Sequence, residues 1–491
     1  MVEHHDKEQH TLRTGALRLG GDWVAAVTTV APSSSVAFTL GALVVAAGLG
    51  SPLAVVLVGG VMLMIAVGYA RLNRWRPHAG APFEWVGKAV LPVIGYAIGL
   101  LAIVAMTVAN VANINLAGTY LLGIISPTAK VNPVLEWVVA TLMMALVIWI
   151  IILGIKVSIR FQAAIIVFEY TVVIIFLVLA LKAELIDHAP GTTGPSWNMF
   201  TLSHGHGLSG FLAAAVTCAW LYVGWETVLV LGEETQNPHV NPGRAAILGV
   251  LFVTFWYTLL IIVFQGVATQ GNIITHTGDV LTYEAGLLVG ATCGRLLSIA
   301  VLSAVLATSQ GQLIGSSRVT FAMARDKMLP KYLREINIHG IPLAAGLTLG
   351  VLPPIALILY LSSTTIAGAM VDLINTSSLL YLTMYAVIAF ACVWYYRKAL
   401  RESLGNLLLA GVIPLLGGLF ALAILVYGLS RSANAVRLPA IGILIAVIAL
   451  AFLAKSITRA PYFSAPRERY DPSAPSEDDT AAVAAAAPEE E

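Results

Sequence analysis

The sequence predicts an all-helical integral membrane protein with twelve transmembrane helices. Of its 491 residues, 58% are hydrophobic and 11% are charged, whereas about 25% of the residues are charged in a typical soluble domain. Charged residues are absent from four long stretches, 23–70, 89–129, 245–278 and 336–371. Each stretch exceeds the roughly 20 apolar residues that cross a bilayer as a helix. This composition excludes a soluble enzyme and a nucleic-acid-binding protein.

Apolar windows bounded by charged residues, Pro or Gly define the individual segments. The twelve segments lie near residues 22–47, 52–70, 92–124, 135–154, 161–181, 208–232, 245–269, 288–314, 342–361, 366–393, 407–429 and 437–456. We therefore expect a short N-terminal segment at 1–20 and a transmembrane domain at 21–456. Residues 457–491 mix Pro, Ala and acidic residues without periodicity, which is typical of a disordered tail.

The basic residues predict the orientation of the chain in the membrane. With an even number of segments, both ends of the transmembrane domain lie on the same side. Of the 27 Lys and Arg residues, 22 fall on that side and five on the other. Because cytoplasmic loops carry an excess of basic residues, we expect both termini in the cytoplasm and the domain in the plasma membrane. The net charge of +1 indicates no acidic partner such as nucleic acid.

Two of the segments contain features that interrupt a helix. In segment 1, Pro32 removes a backbone donor, and three serines follow it at 33–35. In segment 6, Gly224 and the ionisable Glu226 lie near the middle of the apolar stretch. Pro and Gly are also ordinary in membrane helices, so one kink alone has a structural explanation. Unwound backbone at membrane depth, however, is tolerated only where it is buried in protein or lines a cavity.

The two interruptions occupy matching positions in two halves of five segments each, 22–181 and 208–393. Because five is an odd number, the second half begins from the opposite face of the membrane, and the halves are inverted. Matched interruptions in inverted halves point to the midplane binding site of a transporter. The sequence therefore favours a substrate site between segments 1 and 6.

Four stretches of the chain carry a resemblance to a known family. They are RPHAGAPFEWV at 76–86, YVGWE at 222–226, LGEETQNPHVNPGRAAI at 231–247 and SSRVTFAMARDKMLPKYL at 316–333. With them, residues 15–460 resemble the amino acid–polyamine–organocation permeases. The resemblance implies a leucine-transporter-like (LeuT) fold of five plus five inverted helices, followed by two further helices at 407–456. It also implies alternating-access transport of an amino acid or a related amine.

The same resemblance implies a set of substrate-binding residues. In the family, the substrate's carboxylate is held by freed amides at the first break, and its amino group by freed carbonyls at both breaks, as helix dipoles favour. The residues at the matching positions are Ser33, Ser34, Ser35, Tyr222, Val223, Gly224 and Glu226. Trp220 stands where relatives often place a gating aromatic, and a lipid-facing or core-packing position is an equal alternative for it. The family's Gly-rich first break is replaced by Ala31 and Pro32.

Five ionisable residues lie within or at the ends of the segments. For Asp22 and Glu84 we expect caps or salt bridges at the cytoplasmic end, and for Asp372 a gate or a satisfied polar cluster. Glu226 belongs to the second break. Glu169 lies in the middle of segment 5, where several sodium-independent relatives carry a Lys.

Glu169 is the candidate for ion coupling. A carboxylate buried at midplane is able to bind and release a proton during transport, as acidic residues do in pumps and transporters. Two alternatives remain open: a cation site shared with Ser303, Thr308 and Ser309 of segment 8, or a static pair with another buried group.

The predicted function is secondary transport of an amino acid, coupled to protons. A polyamine or ethanolamine-like amine as substrate, coupling to Na+, and amino acid exchange are the alternatives. We expect no cofactor and no metal site, and the sequence does not specify an oligomeric state. A membrane enzyme is disfavoured because no nucleophile–base set is present, and the loops carry no ATP-binding motif.

Overall fold

The structure is a computed structural model that describes residues 12–125, 132–202, 206–277, 280–361, 366–458 and 460–470. Within these ranges the chain is folded into helices, and the only strand-like pairing is an isolated bridge between Leu17 and Thr235. The predicted all-helical membrane fold class is confirmed. Residues 1–11 of the predicted N-terminal segment lie outside the described residues.

The helices are numbered in chain order. They are α1 (Leu19–Val30), α2 (Pro32–Ala47), α3 (Ser51–Trp75), α4 (Pro82–Ala89), α5 (Pro92–Ile125), α6 (Pro133–Ile152), α7 (Ile155–Leu185), α8 (Gly207–Leu221), α9 (Thr227–Val230), α10 (Asn241–Val267), α11 (Gln270–Thr275), α12 (Val280–Arg325), α13 (Leu343–Leu361), α14 (Ile366–Tyr396), α15 (Leu404–Arg431), α16 (Asn434–Ile457) and α17 (Pro461–Ser464).

Ten helical runs in the described part of the chain are long and apolar enough to cross a membrane. One of these runs, Leu19–Trp75, contains α1, α2 and α3. The apolar helix α8 is shorter, with 15 residues. Many large side chains on the outer helices are exposed, among them Ile445 and Phe452 of α16, each 62% exposed. Such exposure suits helices whose outer faces contact lipid.

The structure shows how two of the predicted segments are built. Segment 6, expected near 208–232 with an interruption at Gly224 and Glu226, consists of α8, a turn over residues 222–226, and the short helix α9. Segment 8, expected near 288–314, extends over the 46 residues of α12 and bends at Gly290, where φ is +80° and ψ is 158°. Glycine adopts this backbone conformation without steric penalty, which explains why the helix bends there.

Part of the expected disordered tail, residues 457–491, is ordered. Residues 460–470 lie against the helices, and the ring of Tyr462 stacks on that of Phe83 at 4.4 Å. Its hydroxyl donates to the carbonyl of Phe83 at 3.1 Å, and Glu468 pairs with Arg76 at 3.1 Å. The aromatic residues of this stretch give it apolar surface to bury, which the composition of the tail as a whole obscures. Residues 471–491 lie outside the described residues.

The two interrupted segments meet in the interior of the bundle. Helix α1 packs against α9, α10 and α12, and α2 packs against α8 and α12. Helices α5 and α12 lie along each other over much of their length. The residues around both breaks are therefore buried by α5, α10 and α12.

Candidate substrate-binding site

The first segment is interrupted at a single residue. Helix α1 ends at Val30 and α2 begins at Pro32, with Ala31 between them in the left-handed region at φ +46°. This conformation costs a residue with a side chain roughly 1–2 kcal/mol. The carbonyl that the break frees, that of Val30, accepts hydrogen bonds from Ser35 Oγ at 2.9 Å and from Tyr257 Oη at 3.3 Å. The carbonyl of Thr28, which an N–H at position 32 would contact in a continuous helix, accepts instead from Thr308 Oγ1 at 3.3 Å. Side chains thus satisfy the carbonyls that the break and Pro32 leave free.

Glu169, on α7, reaches this break. Its Oε1 accepts a hydrogen bond from the backbone N–H of Ser33 at 3.1 Å, and the residue is 2% exposed. Ser33 lies in the first turn of α2, where N–H groups lack acceptors within the helix and the helix dipole favours a negative charge. Among the described residues, no basic side chain forms an ion pair with Glu169.

Two of the three segment 8 hydroxyls of the alternative cation site bond to other groups, and the third, Ser309 Oγ, is buried without a hydrogen-bond partner among the described residues. Thr308 Oγ1 donates to the carbonyl of Thr28 at 3.3 Å, and Ser303 Oγ donates to the carbonyl of Ala300 at 2.8 Å. The hydrogen bond of Glu169 goes instead to the N-terminus of α2. The geometry therefore ties this carboxylate to the first break.

The second break lies against α1. Gly224, between α8 and α9, has φ +118°, and a Cβ atom added there would lie 2.6 Å from the carbonyl oxygen of Thr29. Gly311 of α12 approaches the same threonine, with a Cβ position 2.0 Å from Thr29 Oγ1. Glycine is required at 224 both for its backbone conformation and for the close approach of α1.

Glu226 connects the second break to α14 through hydrogen bonds. Its Oε2 accepts hydrogen bonds from the N–H of Gly224 at 3.1 Å and from Tyr385 Oη at 2.8 Å. The ring of Tyr381 lies 5.7 Å from that of Tyr385, and Tyr381 Oη donates to Gln312 Oε1 at 2.9 Å. Glu226 is thereby linked to α12 through two tyrosines, and its observed contacts hold the break in place.

A small cavity lies between the breaks, α5 and α12. It is lined by Val30, Ser34, Ser35, Phe38, Asn113, Leu116, Trp220, Val223, Thr308 and Gln312. Its volume is about 10 Å³, which is room for about one water molecule. The cavity therefore marks a closed site between the two interrupted helices.

The structure brings four of the predicted substrate-binding residues to this cavity: Ser34, Ser35, Trp220 and Val223. Ser33 lies beside it and bonds to Glu169 through its backbone. The remaining three, Tyr222, Gly224 and Glu226, are not among the lining residues. Tyr222 points toward α3 instead, where its hydroxyl donates to the carbonyl of Val55 at 2.9 Å.

Two polar residues that line the cavity were not predicted from the sequence: Asn113 of α5 and Gln312 of α12. Asn113 is one of three asparagines in an otherwise apolar stretch, ANVANIN at 109–115. Polar residues within membrane helices usually face the bundle interior, so this stretch did carry a signal. What the sequence lacked was the packing of α5 against α12, which decides which polar side chains reach the breaks.

The sequence matches the family profile described as amino acid permease across residues 24–450. The chain belongs to the amino acid permease family. This confirms the resemblance on which the expected site was built.

Curated relatives of this permease transport several kinds of substrate. The serine/threonine exchanger SteT of Bacillus subtilis (strain 168) is 27% identical over 38% of this chain and 42% of its own length. The cationic amino acid transporter 3, mitochondrial, of Arabidopsis thaliana is 25% identical over 65% of this chain and 52% of its own length. The low-affinity putrescine importer PlaP of Escherichia coli (strain K12) is 23% identical over 55% of this chain and 58% of its own length. The permease thus spans about half the length of these relatives.

Two ion pairs involve the acidic residues that follow α9. Glu234 pairs with Arg318 through two hydrogen bonds of 3.0 and 3.2 Å, and both side chains are fully buried. Glu233 pairs with Arg325 at 2.7 and 2.8 Å. Burial alone would raise the pKa of Glu233, but the hydrogen bonds and charge of Arg325 outweigh it and hold that pKa below its usual range. The loop after the second break is thereby attached to α12.

Three possible metal ligands lie beside these pairs. Atoms of His78, Glu84 and Asp326 lie within 4.8 Å of one another. Two arginines already contact this group: Arg76 Nε lies 2.6 Å from Glu84 Oε1, and an Arg325 nitrogen lies 2.8 Å from His78 Nε2. Burial lowers the pKa of His78, which favours its neutral form beside Arg325. The group is best described as part of the ionic network, and Glu84 forms the salt bridge expected of it.

Proposed function

We propose that this permease is a secondary active transporter that moves an amino acid across the plasma membrane by alternating access. Both termini lie in the cytoplasm, and transport is coupled to protons through Glu169. The observation that carries the proposal is the hydrogen bond from the N–H of Ser33 to the Glu169 carboxylate at 3.1 Å. It joins the candidate coupling group to the first break, where the family binds the substrate's carboxylate.

Coupling follows because Glu169 and the carboxylate of the substrate compete for one hydrogen-bond donor, the N–H of Ser33. An ionised Glu169 holds the Ser33 N–H, because a carboxylate is a strong acceptor for a helix N-terminus. A proton taken up by Glu169 removes its charge and weakens this hydrogen bond, so the N–H becomes available to the carboxylate of the substrate. Loss of the proton on the other side of the membrane restores the original bond and displaces the substrate. Proton and substrate therefore bind together and leave together.

The size of the cavity supports alternating access. With about 10 Å³ between its walls, the site admits an amino acid only when the helices around it separate. The breaks at Ala31 and Gly224 are the places where α1 and α9 are able to move relative to α2 and α8. Trp220 lies on the cavity wall, where a gating role is compatible with its position.

An organic amine is the second candidate substrate. One observation favours it: Glu226 Oε1 is buried and has no hydrogen-bond partner in the described part of the chain, and such an oxygen suits an ammonium group. A putrescine importer is also among the relatives. Against it, Glu226 does not line the cavity, so an amine would reach this carboxylate only after the break opens.

The test is uptake into proteoliposomes across a panel of radiolabelled amino acids and amines. Each is offered without a gradient, with an inward proton gradient, and with an inward Na+ gradient. We expect one or a few amino acids to accumulate above their external concentration only under the proton gradient. If only amines accumulate, the substrate is an organic amine and not an amino acid. If accumulation depends only on the Na+ gradient, Glu169 does not couple transport to protons. Exchange that ignores every gradient would make the protein an exchanger.

A further inference from the structure

Arg71, Arg74 and Arg244 lie together in a part of the bundle that shares no lining residue with the cavity between the breaks. There a groove of about 250 Å³ runs between the C-terminal end of α3 and the N-terminal end of α10. Its lining combines basic rim residues with an apolar floor: Arg71, Arg74, Arg244, Val67, Ile247 and Leu409. We call it the basic groove.

The basic groove is built to attract a negative charge. No Asp or Glu is among its lining residues. Helix α10 begins beside it, with Gly243 of the first turn in its wall. In the first turn, the N–H groups of Asn241 and Arg244 already donate to Asn237 and Val240, and Pro242 has none. This end therefore contributes chiefly the partial positive charge of the dipole of a 27-residue helix.

The arginines keep hydrogen-bonding capacity toward the groove. Arg71 donates from one terminal nitrogen to Asn406 Oδ1 at 3.0 Å, while its Nε has no hydrogen-bond partner among the described residues. The side chain of Arg244 is exposed, and no carboxylate within the described ranges forms an ion pair with it. The exposed guanidinium of Arg244 is thus free to contact an anion, and Arg71 and Gly243 of the first turn of α10 line the same groove.

An apolar groove continues the basic groove toward the middle of the membrane. It has a volume of about 460 Å³ and lies between the same two helices, with Gly60 and Leu63 of α3 facing Leu251 and Phe255 of α10. Leu63 precedes Val67 by one helical turn, and Leu251 follows Ile247 by one turn, so the two grooves are about one turn of 5.4 Å apart along the helices. A Cβ atom added at Gly60 would meet nothing within 4 Å.

We propose that the two grooves together bind one anionic phospholipid. Its phosphate lies among Arg71, Arg244 and the N-terminus of α10, and one acyl chain lies between α3 and α10. The chemistry of the basic groove alone would also suit inorganic phosphate. The apolar continuation between the same helices favours the lipid, because a soluble anion gains nothing from it. Basic pockets between membrane helices on the cytoplasmic side are recognised lipid headgroup sites, and this pocket lies on the side that the basic residues assign to the cytoplasm.

The test is native mass spectrometry of the purified full-length protein, titrated with phosphatidylglycerol or with phosphatidylcholine of the same acyl chains. We expect one phosphatidylglycerol to bind at least about tenfold more tightly than phosphatidylcholine. Arg244→Gln should weaken phosphatidylglycerol about fivefold, since a basic residue near a lipid surface contributes about 1 kcal/mol. Arg160→Gln, an exposed arginine outside the groove, is the matched control and should bind normally.

A second pair of variants tests the acyl chain. Gly60→Leu places a side chain in the open apolar groove and should weaken phosphatidylglycerol, whereas Gly442→Leu, on the exposed surface of α16, should not. Equal binding of the two lipids, or normal binding by Arg244→Gln, would overturn the proposal. So would displacement of phosphatidylglycerol by millimolar inorganic phosphate together with normal binding by Gly60→Leu, because the occupant would then be a soluble anion. Arg244 carries the test because its side chain is exposed and its replacement breaks no ion pair among the described residues.

Discussion

The carboxylate of Glu169 and the backbone N–H of Ser33 meet at 3.1 Å, although 136 residues separate them in the chain. The contact joins the middle of a continuous helix to the interrupted one, at the end of α2 where the dipole favours negative charge. No basic side chain within the described ranges shares this site. A carboxylate that pairs with a helix N-terminus is able to exchange its charge for a proton without leaving a buried basic side chain unpaired.

Replacement of Glu169 by Gln should separate transport from its driving force. The amide is neutral at every pH, so it mimics the protonated state and leaves the Ser33 N–H available to substrate. We expect exchange of substrate across the membrane to persist, while the accumulation ratio under an inward proton gradient falls to about one. Proteoliposomes loaded with labelled or unlabelled substrate measure both activities in one preparation.

The control for this variant is Glu136→Gln. Glu136 is also fully buried in a membrane helix, but it bonds to the side chain of Thr119 and lies away from the breaks. The control should still concentrate substrate under the gradient. If Glu169→Gln concentrates substrate as well, Glu169 is not the coupling group.

Asn113 should contribute to substrate affinity. Its side chain lines the cavity, and its Nδ2 has no hydrogen-bond partner in the described part of the chain. A hydrogen bond from this amide to a charged substrate group would be worth about 1.5 kcal/mol or more, so Asn113→Ala should raise KM about tenfold. Asn115, buried on the same helix but outside the cavity, gives the matched control. The KM of each variant is obtained from uptake at a series of substrate concentrations. Equal KM values for the Asn113 and Asn115 variants would mean that Asn113 does not bind the substrate.

The sequence predicted the fold and the places where it is interrupted more fully than the contents of the site. Pro32 and Gly224 reveal the breaks because their effects on the backbone are local. Asn113 and Gln312 reach the cavity only because α5 packs along α12, and a pattern within one segment does not report such packing.

The burial of some carboxylates is likewise not predictable from the pattern within one segment. Glu136, Glu184 and Glu284 are at most 4% exposed, yet each lies at or just beyond the end of a predicted segment. A hydropathy window assigns such residues to a membrane boundary, because it does not register the neighbouring helices that cover them. The burial of a charge near a helix end is a property of the tertiary structure.

Gly224 should tolerate no side chain. Alanine there would have to adopt φ +118° and bring its Cβ to 2.6 Å from the carbonyl of Thr29, and strained backbone of this kind costs about 1–3 kcal/mol. We expect Gly224→Ala to lower both the thermal midpoint of the purified protein and its initial rate of uptake. Gly346→Ala is the control, since a Cβ atom at that helical position meets nothing within 4 Å. A Gly224→Ala protein with normal stability and uptake would show that the break is not constrained by α1.

Substitutions of the buried pair Glu234 and Arg318 should have non-additive effects on the thermal midpoint of the protein. Glu234→Leu removes one charge and leaves a guanidinium that is fully buried without its counter-charge, which costs roughly 3–5 kcal/mol. Arg318→Met leaves the carboxylate unpaired in the same way. In the double variant Glu234→Leu with Arg318→Met, neither charge remains to be desolvated, so we expect a thermal midpoint well above that of either single variant. Thermal unfolding of the four proteins in one detergent measures the coupling. Losses that simply add would mean that the two side chains act independently, and the pair would then not be what holds the loop after the second break to α12.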